Sequence, residues 1–242
     1  MNPAALAWQQ FRFERKLFWR NPSAAFFNFL LPLLLLVLTA SAFSADAKEL
    51  KVLIPGIAAM GVLATTFTSL AFNITILRED GVLKRWRGTP MPAGSYLAGL
   101  LASAAVNAFA QVLLVVTIGN LAYGVDWPQD PAMVVGFTAL GVICFASLGI
   151  AFSHAIPNED AAPAYTNAVF LPTIFISGVF YSSDNLPEFL KAIAEVLPLK
   201  HLVDGLSEAI VGGGGDVGAA AAVVAVWAAA GLFLAVRFFR WE

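Results

Sequence analysis

The sequence predicts an all-α integral membrane protein with six transmembrane helices. Hydrophobic residues make up 59% of the 242 residues and charged residues only 12%, whereas about a quarter of the residues in a soluble domain are charged. The mean hydropathy is +0.77. The apolar residues also fall into runs of about 20, the length that a helix needs to cross the hydrocarbon core of a bilayer. One membrane domain covering residues 1–242 is the simplest interpretation.

The six apolar runs set the order of the elements. Short polar connections separate most of them, but the connections after the second and fifth runs are longer. Prolines lie inside or at the ends of some runs, which a helix bundle tolerates because neighbouring helices satisfy the freed backbone groups. The predicted spans are residues 23–43, 52–77, 96–123, 131–156, 161–181 and 217–239.

An interfacial helix is predicted before the first span, over residues 1–22. Arg12, Lys16 and Arg20 recur every four residues and form a basic stripe, and aromatic residues are interspersed with them. Such a helix suits the inner membrane surface, where aromatic rings lie at the level of the headgroups and cations meet anionic lipids. Contact with a partner protein is the alternative.

The distribution of the cations predicts a multi-pass protein of the cell membrane with both termini in the cytoplasm. With the amino terminus inside, ten of the fourteen Lys and Arg residues lie on the cytoplasmic side, and most of the acids lie outside. An excess of cations in the cytoplasmic loops is the usual bias of membrane proteins. The four outer cations are Lys48, Lys51, Lys191 and Lys200.

The second predicted span has one polar face. At 100° per residue, its hydroxyl and amide side chains fall in one half of the helical wheel, and the other half is apolar. A polar face inside a bilayer lines either a helix interface or a translocation path, because lipid offers no hydrogen-bond partners. The uncharged groups favour amphipathic or apolar cargo over protons. The candidate path residues of the second and fifth spans are Thr65, Thr66, Ser69, Asn73, Thr166, Asn167, Thr173 and Ser177.

The sequence predicts neither an enzyme nor a site for a metal or cofactor. The spans carry no Asp, Glu, Lys or Arg away from their ends, whereas ion-coupled pumps place such groups at mid-membrane. A lipid-modifying enzyme would need clustered acids or histidines, and His154 with Glu159 and Asp160 is too sparse. The single cysteine, Cys144, permits no intrachain disulfide. Nucleotide-binding and hydrolase motifs are missing, and no nucleic-acid partner is expected.

The outer segment, residues 182–216, is too polar to span the membrane and too apolar to be free in water. Pro187 suits the first turn of a helix, and Pro198 ends that helix. Short re-entrant or interface-lying helices are therefore expected. The glycine run at 212–215 predicts a flexible joint before the last span.

The segment after the second span, residues 78–95, carries both acids and cations. A short helix is predicted between Gly81 and a Thr-Pro pair. Leu83 and Trp86 are expected to project from this helix as an apolar knob. A loop that serves only to orient the protein in the membrane would explain the cations but not the other residues. The acids, the glycine and the Thr-Pro pair favour docking of another protein. The candidate docking residues are Arg78, Glu79, Asp80, Gly81, Leu83, Lys84, Arg85, Trp86 and Arg87.

Two stretches carry a recognisable pattern. The first, "LREDGVLKRWRGTPMPAGSYLAGLLAS" at 77–103, is similar to an Arg-Glu-x-Gly-x-Leu, basic cluster and Thr-Pro signature. The second, "FISGVFYSSDNLPEFLKAIAEVLPLKHLVDGL" at 175–206, is similar to a Ser-Gly-x-Phe, Leu-Pro, Leu-Pro-Leu and Val-Asp pattern. In this order, on six spans, they resemble the permease subunits of type-2 ABC exporters, which include drug, antibiotic, polysaccharide and lipid exporters. The chain departs at Ser182, where many members have proline, and at Ser207, where many have arginine.

The resemblance implies a dimer of permeases, each bound on its cytoplasmic side to a separate ATPase subunit that holds ATP and Mg²⁺. The segment after the second span would be the coupling helix that rests on the ATPase. Export of a small amphipathic, drug-like or lipid-like substrate is expected, in contact with membrane lipids. The alternatives are polysaccharide export and an ATP-independent channel or scaffold. The positions matching the first signature are Arg78, Glu79, Gly81, Leu83, Lys84, Arg85, Thr89 and Pro90, and the expected outer gate is Phe180, Tyr181, Leu186 and Pro187.

Overall fold

A computed structural model describes residues 2–42, 47–87, 91–181, 187–212 and 214–238. Within these ranges every regular element is helical, which confirms the all-α prediction. A π-helical turn, Ala64–Thr68, joins two of the helices into one continuous rod. The helices are α1 (Pro3–Arg20), α2 (Pro22–Ala42), α3 (Ala47–Leu63), α4 (Ser69–Glu79), α5 (Val82–Arg87), α6 (Ala93–Tyr123), α7 (Pro131–Ser153), α8 (Ala162–Ile176), α9 (Glu188–Ala194), α10 (Pro198–Val211) and α11 (Val217–Phe238).

Four helical stretches of the described chain are long and apolar enough to cross a bilayer. They are Glu49–Glu79, Gly94–Tyr123, Pro131–Ser153 and Val217–Arg237. The first and fifth predicted spans correspond to α2 and α8, which contain the shorter apolar segments Asn28–Ser41 and Ala162–Ile176. Each predicted span therefore coincides with a helix, and four of these helices reach the length and apolar character that crossing requires.

The core lies where α3 passes between α6, α7 and α10. The side chain of Ile57 on α3 is fully buried, as are Leu199, Leu202 and Leu206 on α10. Because α10 packs against α3, α7 and α11, the outer segment enters the helix bundle and does not lie flat on the surface. The preceding helix α9 is different, since Phe189 is 66% exposed.

The described residues of the joint before the last span are hydrogen-bonded to α10. The two carboxylate oxygens of Glu208 on α10 accept the backbone N–H groups of Gly214 and Gly215, at 3.1 and 3.0 Å. Charge-assisted bonds of this kind are among the stronger hydrogen bonds in proteins. They fix the start of α11 relative to α10.

Helix α7 approaches the π-helical turn closely because position 149 is glycine. A Cβ atom at Gly149 would lie 2.6 Å from the carbonyl oxygen of Phe67 and 2.9 Å from its Cα atom. These are backbone atoms, so the neighbour could move only by displacing the helix. The glycine thus sets the spacing between α7 and the rod formed by α3 and α4.

We expect Gly149→Val to destabilise the protein by about 1–3 kcal/mol, the usual cost of overpacking. Gly136→Val is the matched control, because Gly136 also lies on α7 and a Cβ there meets nothing within 4 Å. Unfolding can be followed by the reaction of Cys144 with a maleimide dye, since this cysteine is fully buried. Equal unfolding temperatures for the two variants would contradict the close approach.

Candidate coupling segment and helix cleft

The chain reverses from α4 into α5 through a tight turn. The N–H of Asp80 donates to the carbonyl of Ile76 at 2.9 Å, and the N–H of Gly81 donates to the carbonyl of Arg78 at 3.1 Å. Gly81 has a φ of +66°, a left-handed conformation that glycine adopts without strain. The glycine therefore places α5 directly beside the end of α4.

Leu83 is buried inside the chain. It is 1% exposed and packs in a cluster with Leu70 and Ile74 of α4 and with Tyr96 and Leu100 of α6. The prediction that Leu83 projects outward as an apolar knob is therefore wrong. Burying a leucine side chain contributes roughly 1.5–3 kcal/mol, so this contact anchors α5 to two membrane helices.

The exposed surface of α5 is basic. Lys84 and Arg85 are both exposed, and Nη2 of Arg85 donates to the carbonyl of Asp80 at 2.9 Å. The side chains of Trp86 and Arg87 lie outside the described part of the chain, as do residues 88–90, which include the Thr-Pro pair. The described surface of α5 thus presents cations to any molecule that contacts it.

Two side chains at the end of α4 tie it to the connection between α7 and α8. Nη1 of Arg78 donates to the carbonyl of Ser153 at 3.0 Å, and Nη2 donates to the carbonyl of Ile156 at 2.6 Å. The last carbonyls of a helix have no partner within the helix, and a cation near them is favourable. The carboxylate of Glu79 accepts the N–H of Glu159. These bonds connect the end of α4 to the end of α7 and to the segment that follows it.

The polar residues predicted on one face of the second span divide between two environments. Thr66 is fully buried, and its hydroxyl donates to the carbonyl of Val62 within the same helix. Thr65 is also buried, and its hydroxyl donates to the carbonyl of Gly61 at 2.8 Å, although it lies at the wall of a cleft that Ser69 and Asn73 line. A π-helical turn carries more residues per turn than an α-helix, so a helical wheel at a constant 100° misplaces the residues on either side of it.

The candidate path residues on α8 lie away from that cleft. Thr166 is buried, and its hydroxyl donates to a carbonyl of its own helix, as does that of Thr173. Asn167 is exposed, and Ser177 is buried at the end of the helix. Helix α8 contributes Phe170 to the lining of the cleft. The described structure therefore brings three of the four second-span candidates, Thr65, Ser69 and Asn73, to one cleft, without Thr66 and without the candidates of the fifth span.

The predicted outer gate is described in part. The Phe180 ring packs against the Phe175 ring, with 5.7 Å between the centroids, and the hydroxyl of Tyr181 donates to the carbonyl of Phe175. Pro187 is exposed just before α9, and Leu186 lies outside the described residues. The aromatic residues thus cluster at the carboxyl-terminal end of α8.

A cleft of about 790 Å³ lies between α1, α2, α4 and α6. Leu31 and Phe72 contribute apolar walls, and Glu14, Ser103 and Asn107 contribute polar groups. Sequence reasoning missed this cleft because its walls come from separated parts of the chain. The amides of the third span, of which Asn107 is one, are the signal that could have pointed to it.

Helix α1 closes one side of the cleft by packing on α6. The hydroxyl of Ser95 donates to the carbonyl of Pro3 at 2.9 Å, and the guanidinium of Arg15 donates to the side-chain oxygen of Asn107. The Trp19 ring lies beside the guanidinium of Arg15 and is 63% exposed. The helix therefore has one face on the protein and an aromatic face available to lipid headgroups.

The carboxyl group of Glu14 is half-buried at this cleft. Burial raises its pKa, and a hydrogen bond from Nε2 of Gln10 at 2.7 Å opposes that shift. The raised pKa means that the folded protein holds this proton to a higher pH than the unfolded chain does. The contribution of Glu14 to the stability of the folded protein is therefore fully present below its ordinary pKa of 4.5. This contribution is lost as the pH rises through the pKa that Glu14 has in the folded state.

No three His, Cys, Asp or Glu side chains come together as metal ligands within the part of the chain that the structure describes. Nε2 of His201 lies 2.9 Å from the carbonyl oxygen of Glu195. This contact gives His201 a structural role at the start of α10.

Together these observations define the class of the protein. It is a multi-pass helical membrane protein with a short basic helix anchored to its membrane helices. The ABC-2 type transporter family matches residues 5–211. The chain therefore belongs to the ABC-2 type transporter family, and its resemblance to the permeases is confirmed.

The chain is similar to several characterised proteins. It is 27% identical over 183 residues to the linearmycin resistance permease protein LnrN of Bacillus subtilis strain 168, covering 72% of this chain and 47% of LnrN. It is 26% identical over 157 residues to nodulation protein J of Neorhizobium galegae, covering 64% and 59%. It is 27% identical over 228 residues to the daunorubicin resistance ABC transporter permease protein DrrB1 of Streptomyces coeruleorubidus, covering 87% and 77%. The chain thus spans about half of LnrN and three fifths of nodulation protein J.

Proposed function

We propose that this chain is the membrane permease subunit of an ATP-driven exporter, which moves a small amphipathic, drug-like or lipid-like substrate out of the cytoplasm. The observation that carries the proposal is the geometry of α5, which is anchored through Leu83 and presents Lys84 and Arg85 on its surface. The names of LnrN and DrrB1, which refer to resistance against linearmycin and daunorubicin, support the substrate class.

In the proposed assembly two permeases pair in the cell membrane, with both termini in the cytoplasm. Helices α2 and α8 complete a set of six spans. Each permease binds one separate ATPase subunit, which holds ATP and Mg²⁺ and performs the hydrolysis, while this chain performs no catalysis. The cations of α5 meet acidic groups of the ATPase, a pairing that favours fast and specific association.

The proposed coupling runs from α5 into the membrane helices. Closure of the ATPase subunits displaces α5, and the buried Leu83 moves α4 and α6 with it. Arg78 passes the displacement to α7 through its bonds to the end of that helix. Moving a conformational equilibrium from 1:99 to 99:1 requires about 5.5 kcal/mol, which substrate binding alone does not readily supply and ATP binding can. The substrate passes between the second and fifth spans, past Ser69 and Asn73.

The test is charge reversal on α5, Lys84→Glu with Arg85→Glu, in the permease reconstituted with its ATPase subunit. We expect ATP-driven transport and substrate-stimulated ATP hydrolysis to fall at least tenfold, because like charges across an interface cost several kcal/mol. Binding of the ATPase to the permease should weaken as well.

The matched control is Lys51→Glu with Lys191→Glu, which makes the same charge change on the proposed outer side. We expect it to leave ATP hydrolysis and transport within twofold of the unaltered complex. Unchanged activity of the α5 variant would refute the docking role. Substrate flux through the permease alone, without ATP, would refute the exporter and support a channel.

A further inference from the structure

The cleft between α1, α2, α4 and α6 is elongated along the membrane helices. Met60 on α3 and Leu77 on α4 both line it, and the seventeen residues of helix between them correspond to about 25 Å. Leu77 lies at the proposed cytoplasmic end, and Met60 lies deeper in the membrane. The cleft can therefore hold an extended apolar chain that enters from the inner leaflet.

The cleft carries one carboxylate and no cation. Among the described residues that line it, Glu14 is the acidic one, and none is Lys, Arg or His. The phenol of Tyr96 also lies in this lining. The neighbouring Arg15 donates to Asn107 and lies over the ring of Phe18, with 5.3 Å from its Cζ to the ring centroid. Arg15 thus has its own acceptor, the amide oxygen of Asn107 at the wall of the cleft.

A half-buried carboxylate without a cation is costly, and an opposite charge that enters the site removes part of that cost. Glu14 has a single hydrogen-bond donor, Nε2 of Gln10, among the described residues. A carboxylate offers about four acceptor positions, so it can accept further donors from a ligand. An ammonium group supplies both the missing charge and up to three donors.

We propose that this cleft binds an amphiphilic primary amine taken from the inner leaflet, with its ammonium group on the Glu14 carboxylate and its apolar chain against Leu31, Phe72 and Phe170. The role of this amine as a transported substrate rests on the proposed function. Binding itself rests on the charge and shape of the cleft.

The experiment uses the full-length permease in phosphatidylcholine nanodiscs. Three fluorescent probes are titrated, a twelve-carbon amine, its uncharged amide and the corresponding carboxylic acid, each with the same dansyl group at the far end. We expect the amine to bind at least tenfold more tightly than the amide, in line with a hydrogen-bonded charge pair. Glu14→Gln should remove that difference and leave the affinity for the amide unchanged.

Two further variants complete the design. Glu14→Asp keeps the carboxylate on a shorter side chain and should retain part of the preference for the amine; it also decides the outcome if Glu14→Gln does not fold. Glu188→Gln makes the same chemical change at an exposed carboxylate on α9 and should leave all three affinities unchanged.

Equal affinities for the amine and the amide in the unaltered permease, or binding of the amine that does not depend on Glu14, would overturn the site. Tight binding of the acid would overturn it as well. These outcomes are independent of the exporter. If the reconstituted complex exports another amphiphile but Glu14 has no effect on amine binding, only the cleft proposal fails. If amine binding depends on Glu14 but no ATP-driven export occurs, only the function fails.

Discussion

Leu83→Asp lowers the unfolding temperature of the isolated permease by roughly 10 °C. Leu83 packs between α4 and α6 in the cluster with Ile74 and Tyr96. The substitution removes this apolar contact and leaves a carboxylate buried without a partner, for a total cost of about 4 kcal/mol. A change of 1 kcal/mol shifts the unfolding temperature by about 2–4 °C in a domain of this size. Unfolding is followed through the reactivity of Cys144, as above.

The matched control is Lys84→Asp, which places the same side chain one residue further along α5 on the exposed surface. We expect it to shift the unfolding temperature by less than 2 °C, within the usual range for surface substitutions. The opposite pattern, a stable Leu83→Asp permease that loses activity only with its ATPase, would show that Leu83 contacts the partner.

Arg78→Ala uncouples ATP hydrolysis from transport. The arginine supplies both bonds that connect the end of α4 to the carbonyls of Ser153 and Ile156. Its removal leaves the carbonyl of Ile156 without this donor, while the carbonyl of Ser153 still accepts the N–H of Ile156 at 3.3 Å, for a cost of about 1–3 kcal/mol. We expect ATP-driven transport to fall at least tenfold, because α7 no longer follows α4. The ATPase subunit should still bind, since the exposed cations of α5 are unchanged.

Arg78→Lys and Arg12→Ala are the comparison variants. Lysine keeps the charge but lacks the planar pair of donors, so it should restore only part of the transport. Arg12 is an exposed cation of α1, and its loss should have little effect. Transport that survives Arg78→Ala at the normal rate would show that α4 and α7 are coupled elsewhere.

The helices were predictable because their signals are local. The second span was predicted at 52–77, and the structure has a continuous rod from Ala47 to Glu79. The turn at Gly81 was marked by the glycine itself, which has a positive φ. The length of an apolar run is set by the thickness of the bilayer, and the conformation open to glycine is set by its lack of a side chain. Both can therefore be predicted from a single sequence.

The surroundings of the side chains were not predictable in the same way. A wheel at 100° per residue put Thr65 and Thr66 on one polar face with Ser69, but in the structure both threonines are buried with their hydroxyls on carbonyls of the preceding turn, whereas Ser69 is exposed at the cleft. Amphipathic spacing in α5 suggested that Leu83 faces outward. Periodicity shows that a helix has an apolar face, but it does not say whether that face meets lipid, a partner or the same chain.

The sequence by itself determined the membrane class, the order of the helices, the short basic segment after the second span and the resemblance to its family. Tertiary structure decided that Leu83 anchors this segment, that Arg78 holds the end of α7 and that Glu14 lies in a cleft. The physical reason is that the residues in contact are far apart in the sequence. Arg78 and Ser153 are 75 residues apart in the chain, so only the packing of whole helices brings their atoms within hydrogen-bonding distance.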